Sequence, residues 1–107
     1  MLTIRRILCP VDFSDFSRRG LDLAFALAAR SGAEITALHV TSSALSPAMA
    51  FPEVPVFLPL DPTVMERLRA ELARFVAPSR TPDIPLRTIV MEGAPVTRIL
   101  QACGTKF

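Results

Sequence analysis

Ile7-Leu8-Cys9 carries no polar alternation and runs straight through Pro10-Val11 into the acidic, hydroxyl-bearing turn Asp12-Phe13-Ser14-Asp15. A strand apolar on both faces is the mark of a parallel sheet covered by helices. Ser14 suits an N-cap, because its hydroxyl can accept from an unpaired amide of the first helical turn, and Asp15 sits where the helix dipole favours an anion. The pattern predicts a helix over 15–31. Leu21, Ala24, Phe25 and Ala28 recur at spacings of three and four and face inward, Leu23 and Leu27 widen that stripe, and Gly32 supplies a left-handed stop.

Ile35-Thr36-Ala37-Leu38-His39-Val40 reads as a second strand, joined to the first by a right-handed crossover and parallel to it. Residues 41–60 hold Pro47, Pro52, Pro55 and Pro59, which exclude helix and paired strand, yet 49–60 is rich in Met, Phe, Val and Leu. That apolar loop is expected to pack on a subunit or protein partner or on its own domain, ahead of serving as a lid. Asp61-Pro62 opens a second helix, with Leu60 and Met65 spaced as a staple and Met65, Leu68, Leu72 and Phe75 or Val76 as its buried stripe until Pro78. Leu86 to Met91 is a third strand closed by Glu92-Gly93. Ala94-Pro95 starts a last helix with Val96, Ile99, Leu100 and Cys103 on one face, ended by Gly104.

Composition narrows the class. A chain of 107 residues, half of them apolar, is expected to form one globular domain over 1–107. The net charge of +2, carried by eleven scattered arginines and Lys106, predicts neither nucleic-acid nor membrane binding. The apolar run near the N-terminus is too short for a signal peptide or a membrane span, which implies a cytoplasmic location. Cys9 and Cys103 lack metal or disulfide spacing, and Cys9 reads as a small buried hydrophobe. His39, the single histidine, reads as a hydrogen-bonded imidazole near a strand end. No paired nucleophile and base can be assembled around it, and an enzyme is not expected.

Three stretches then stand out together: Ile7-Leu8-Cys9-Pro10-Val11-Asp12-Phe13-Ser14, Leu38-His39-Val40, and Val90-Met91-Glu92-Gly93-Ala94-Pro95 leading through Ile99-Leu100. In this order the chain resembles the N-terminal two-thirds of a universal stress protein domain. The resemblance implies an α/β, Rossmann-like fold of the adenine-nucleotide alpha-hydrolase-like kind, truncated here to an open parallel sheet of three strands in the order 3-2-1 with flanking helices. In the complete fold two further strands extend the sheet beyond the first strand, the assembly is often a homodimer, and one branch of the family holds ATP or AMP.

For that branch the resemblance assigns the adenine side of the site to Pro10, Val11, Asp12 and Val40. Its phosphates are held by a later glycine-rich segment. The four glycines here, Gly20, Gly32, Gly93 and Gly104, do not form such a cradle, so ATP or AMP binding is expected to be weakened and no cofactor is expected with certainty. The domain is accordingly expected to be incomplete at its C-terminus, with the first strand left as an edge that recruits a partner. The function implied is a non-enzymatic module of stress response acting through self-association and weak adenine nucleotide binding. A nucleotide-independent protein-interaction module and an adenine-nucleotide-processing enzyme stay open as alternatives.

Overall fold

The computed structural model describes residues 3–41 and 62–103, with the side chains of 95 and 96 left aside. The loop over 41–60 beyond Thr41, the Asp61 cap, the Leu60–Met65 staple and the Gly104 stop lie outside the described residues. In chain order the elements are β1 (Arg6–Pro10), α1 (Asp15–Ser31), β2 (Glu34–Thr41), α2 (Pro62–Val76), a 3-10 turn over Ala77–Ser79, β3 (Leu86–Glu92) and α3 (Pro95–Cys103). The three strands form one parallel sheet with β2 in the middle and Cys9, Ala37 and Thr88 in line across it, the order 3-2-1 expected from the sequence.

Local signals explain the boundaries. Ser14 caps α1 from extended backbone, its Oγ accepting from the Ser17 amide at 3.2 Å, and Gly32 ends the helix at φ 74°, its amide donating to the Ala28 carbonyl at 2.8 Å. Both steps of the sheet, from β1 to β2 and from β2 to β3, go in the same direction, so right-handed crossovers place α1 and α2 on the same face. There Leu21, Ala24, Phe25 and Ala28 of α1, with Leu72 and Val76 of α2, join Cys9, Val11, Ile35 and Ala37 in one buried cluster. Each fully buried leucine or phenylalanine contributes about 1.5–3 kcal/mol. Leu38 is also buried, and strand alternation turns it to the opposite face, where α3 packs against β2 and β1.

Two helix faces differ from expectation. Leu23 and Leu27, read as part of the inward stripe of α1, are 61% and 41% exposed. They lie on the flank of α1 that overhangs β1, where no further element among the described residues covers them. On α3 the buried residue is Ala102, with Ile99 half-buried, while Leu100 and Cys103 are exposed. The contact face is centred between Ile99 and Ala102, so the small residue, which apolar spacing weighs least, makes the closest approach to the sheet. No described helix is long and apolar enough to cross a membrane.

The sheet edges follow from hydrogen-bond parity. Glu34 N–H donates to the Arg5 carbonyl and Val11 N–H to the Leu38 carbonyl, so odd-numbered residues of β1 bond to β2. Arg6, Leu8 and Pro10 therefore turn their main-chain groups to the open edge, and Pro10 has no amide to offer there. On the far side Gly93 N–H donates to the Thr41 carbonyl, which turns the Glu92 carbonyl outward, and Arg98 Nε closes it at 2.8 Å.

Candidate functional site

The crevice lies beyond the carboxyl ends of β1 and β2, where ligands bind in open α/β sheets. β1 ends at Pro10, Val11 is buried beneath the turn, and the chain then reverses through Phe13, whose φ of 65° lies in the left-handed region that a bulky residue rarely adopts. This turn leaves Asp12 exposed at the mouth and lets Ser14 start α1. Asp12 Oδ1 accepts from the Ser14 amide at 2.9 Å and from the Ser14 hydroxyl in a short hydrogen bond. The Ser14 hydroxyl first, and then its amide, hold the Asp12 carboxyl below the usual aspartate range, so it stands ionised at neutral pH as an acceptor for hydroxyl or amino groups.

An aromatic platform fixes the turn from behind. The Phe13 ring lies 4.5 Å from His39 and 5.6 Å, edge-on, from Phe75, and the Arg18 guanidinium sits 3.9 Å over the Phe75 ring. His39 Nδ1 donates to the Val11 carbonyl at 2.7 Å, the strand-end imidazole expected from the sequence. Arg18 Nη1 donates to Ser79 Oγ at 2.8 Å, and Ser79 in turn donates to Asp22 at 2.6 Å. Arg18 is thereby tied to α2 and its 3-10 turn rather than held out for a ligand. This platform escaped the sequence reading: a phenylalanine at positive φ has no sequence signal, and Arg18 and Ser79 are 61 positions apart.

Pro10, Val11, Asp12 and Val40, the residues assigned to the adenine side, all line one open groove of about 700 Å³, which also runs along Leu8 and Ile99 and beneath Phe16, Gly20, Leu23 and Leu27 on the flank of α1. Its volume is within the range of small-molecule sites, and its walls are mostly aliphatic. One ionised carboxylate, that of Asp12, stands at its rim. Among the described glycines only Gly32 and Gly93 have positive φ, the first at the far end of α1 and the second filled from one side by the Arg98 side chain. The polar side chains of the groove lining are confined to Asp12, Ser14, Ser17 and His39. No group of His, Cys, Asp and Glu among the described residues is arranged to hold a metal ion. Burial raises the Cys9 thiol, which stays protonated within β1.

An open parallel sheet covered by helices, with a βα turn at its crevice, defines an open-sheet α/β domain. Residues 3–105 match the model of the universal stress protein family, and the chain belongs to that family. Three solved structures share the fold. The universal stress protein UspA from Lactobacillus plantarum is 30% identical, with a TM-score of 0.62 over 96% of this chain and 70% of its own. A universal stress protein in complex with cAMP is 18% identical, with a TM-score of 0.60 over 95% of this chain. A family member from Burkholderia pseudomallei is 16% identical, with a TM-score of 0.57 over 96% of this chain and 77% of its own. The chain spans 65% of the length of the cAMP-bound protein. No curated protein sequence matches it.

Proposed function

We propose that this chain is a non-enzymatic stress-response module that self-associates and recognises the base and ribose of an adenine nucleotide in the crevice formed by Pro10, Val11, Asp12 and Val40. The observation that carries this reading is the convergence of those four residues on one aliphatic cavity with the ionised Asp12 at its rim. A related protein in complex with cAMP supports the choice of ligand class. Among the described residues no glycine turn stands at the crevice to hold phosphates, and weak binding is proposed on that ground, since each charge-assisted hydrogen bond to phosphate contributes about 1.5–3 kcal/mol.

The test is calorimetric titration with adenosine, AMP and ATP. Because the phosphates go unheld, the three should bind with dissociation constants within roughly tenfold of one another, less than a single charge-assisted bond provides. Asp12→Ala should weaken all three alike. ATP binding far tighter than adenosine would show a phosphate site and refute the half-site reading. If none of the three binds, the nucleotide-independent interaction module takes its place.

A further inference from the structure

We infer that His39 is the positioning residue of the crevice: it holds both neighbours of Asp12, Val11 through a hydrogen bond and Phe13 through ring contact, and so aims the carboxylate between them. The inference rests on the crevice reading above and adds to it the group that shapes its acceptor.

Four observations lead to it. First, β2 grips Val11 by both of its main-chain groups. The Val11 N–H donates to the Leu38 carbonyl at 2.7 Å, and the Val11 carbonyl accepts from His39 Nδ1 at 2.7 Å. A carbonyl has no proton to give, so the imidazole must carry its hydrogen on Nδ1, and the bond fixes the tautomer. Second, Phe13 stands at φ 65°, with its ring 4.5 Å from His39 and 5.6 Å, edge-on, from Phe75. A bulky residue keeps left-handed backbone only where its surroundings over-determine it, and these two rings supply that constraint. Third, the far end of the stack is anchored, because Arg18 lies over the Phe75 ring and donates to Ser79. Fourth, Asp12 is the single residue between the two that His39 holds, and its Oδ1 reaches the Ser14 amide and hydroxyl only because the chain reverses at Phe13. Release of the Val11 carbonyl would free the peptide that joins Val11 to Asp12. Phe13 could then relax to an ordinary φ, and Asp12 would leave Ser14. A histidine that merely filled space would affect stability and leave the Asp12 carboxylate where it is.

The test uses the full chain. In the wild type, nitrogen NMR of the neutral imidazole should place the hydrogen on Nδ1. His39→Phe keeps a ring against Phe13 and removes the N–H. In its folded form, verified by a dispersed amide spectrum, the Asp12 carboxyl should titrate closer to the ordinary aspartate value. Its adenosine dissociation constant should rise roughly tenfold, the worth of one hydrogen bond that a displaced Asp12 no longer accepts. His39→Asn, whose side-chain amide offers an N–H close to where Nδ1 stands, should recover most of both losses. A folded His39→Phe protein in which Asp12 titrates as in the wild type would overturn the inference. So would His39→Asn displaced as far as His39→Phe, since ring packing alone would then set the turn. If His39→Phe does not fold, the tautomer decides: hydrogen on Nδ1 supports the Val11 bond, and hydrogen on Nε2 removes it and the inference with it. If adenosine binds to no form, the crevice reading falls, and the Asp12 titration still decides the role of His39.

Discussion

The two edges of this sheet carry the same backbone groups and present them very differently. At β3 the outward Glu92 carbonyl is closed by Arg98 of the following helix, and Arg87 and Thr88 along the strand are exposed and polar. At β1 the outward groups of Arg6 and Leu8 have no such closure among the described residues, and the helix above them exposes leucine and phenylalanine. Edge strands that stay solitary are blunted by charge, proline or a covering element, and β1 has Arg6 at its first position and Pro10 at its last, with the apolar Leu8 between them. The contrast shows that an edge is characterised by what its neighbouring helix displays as much as by the strand's own composition.

The largest test of that contrast lies within α1. Leu21 is fully buried and Leu23, two positions on, is mostly exposed. Leu21→Ala should cost about 2–5 kcal/mol, the transfer loss plus an unfilled cavity, in urea unfolding at low micromolar concentration. Leu23→Ala measured in the same dilute solution should stay within about 0.5 kcal/mol of the wild type. Equal losses would mean that Leu23 is covered within the protomer and that the β1 flank is no open surface.

That pair also marks how far the sequence could be read. The unpunctuated run Ile7-Leu8-Cys9, the Ser14 cap, the Gly32 stop and the β-branched strand at Ile35 were enough to place β1, α1 and β2 to within a residue at each end, because those signals are local. The assignment of Pro10, Val11, Asp12 and Val40 to one crevice needed the resemblance, and the four do line one cavity. Periodicity failed at Leu23, Leu27 and Leu100. It reports that a helix flank is apolar and is silent on whether another element lies against it. The Phe13–His39–Phe75–Arg18 platform was illegible for another reason: it joins four elements through long-range contacts that no spacing encodes.

A middle-sized effect is expected at the crevice end of β1, where the edge passes into the turn. Ser14 accepts from the Ser17 amide and donates to Asp12, so Ser14→Ala removes the cap of α1 and should cost about 1 kcal/mol. Its second signature is in pH. Asp12 is held below its ordinary value in the folded chain, so its contribution to stability is present above the ordinary aspartate pKa and is lost as pH falls through the lowered one. In Ser14→Ala the first two causes of that lowering weaken or vanish. Stability should then depend less steeply on pH across the acid window, and the Asp12 carboxyl, followed by NMR, should titrate closer to its ordinary value. An unchanged titration would show that the turn, rather than Ser14, sets the charge of the crevice.

The smallest effect returns to the other edge. Arg98→Ala removes the donor that closes the Glu92 carbonyl, an exposed bond whose loss should cost about 0.5 kcal/mol, since water replaces it. Urea unfolding should show no more than that, because Arg87 and Thr88 still give this edge a polar, solvated strand. A loss several times larger would show that Arg98 ties α3 to the end of β3 rather than merely covering an edge carbonyl. A change near zero would show that water satisfies the Glu92 carbonyl as well as the guanidinium does, and that the polar side chains of β3 suffice to keep this edge solvated.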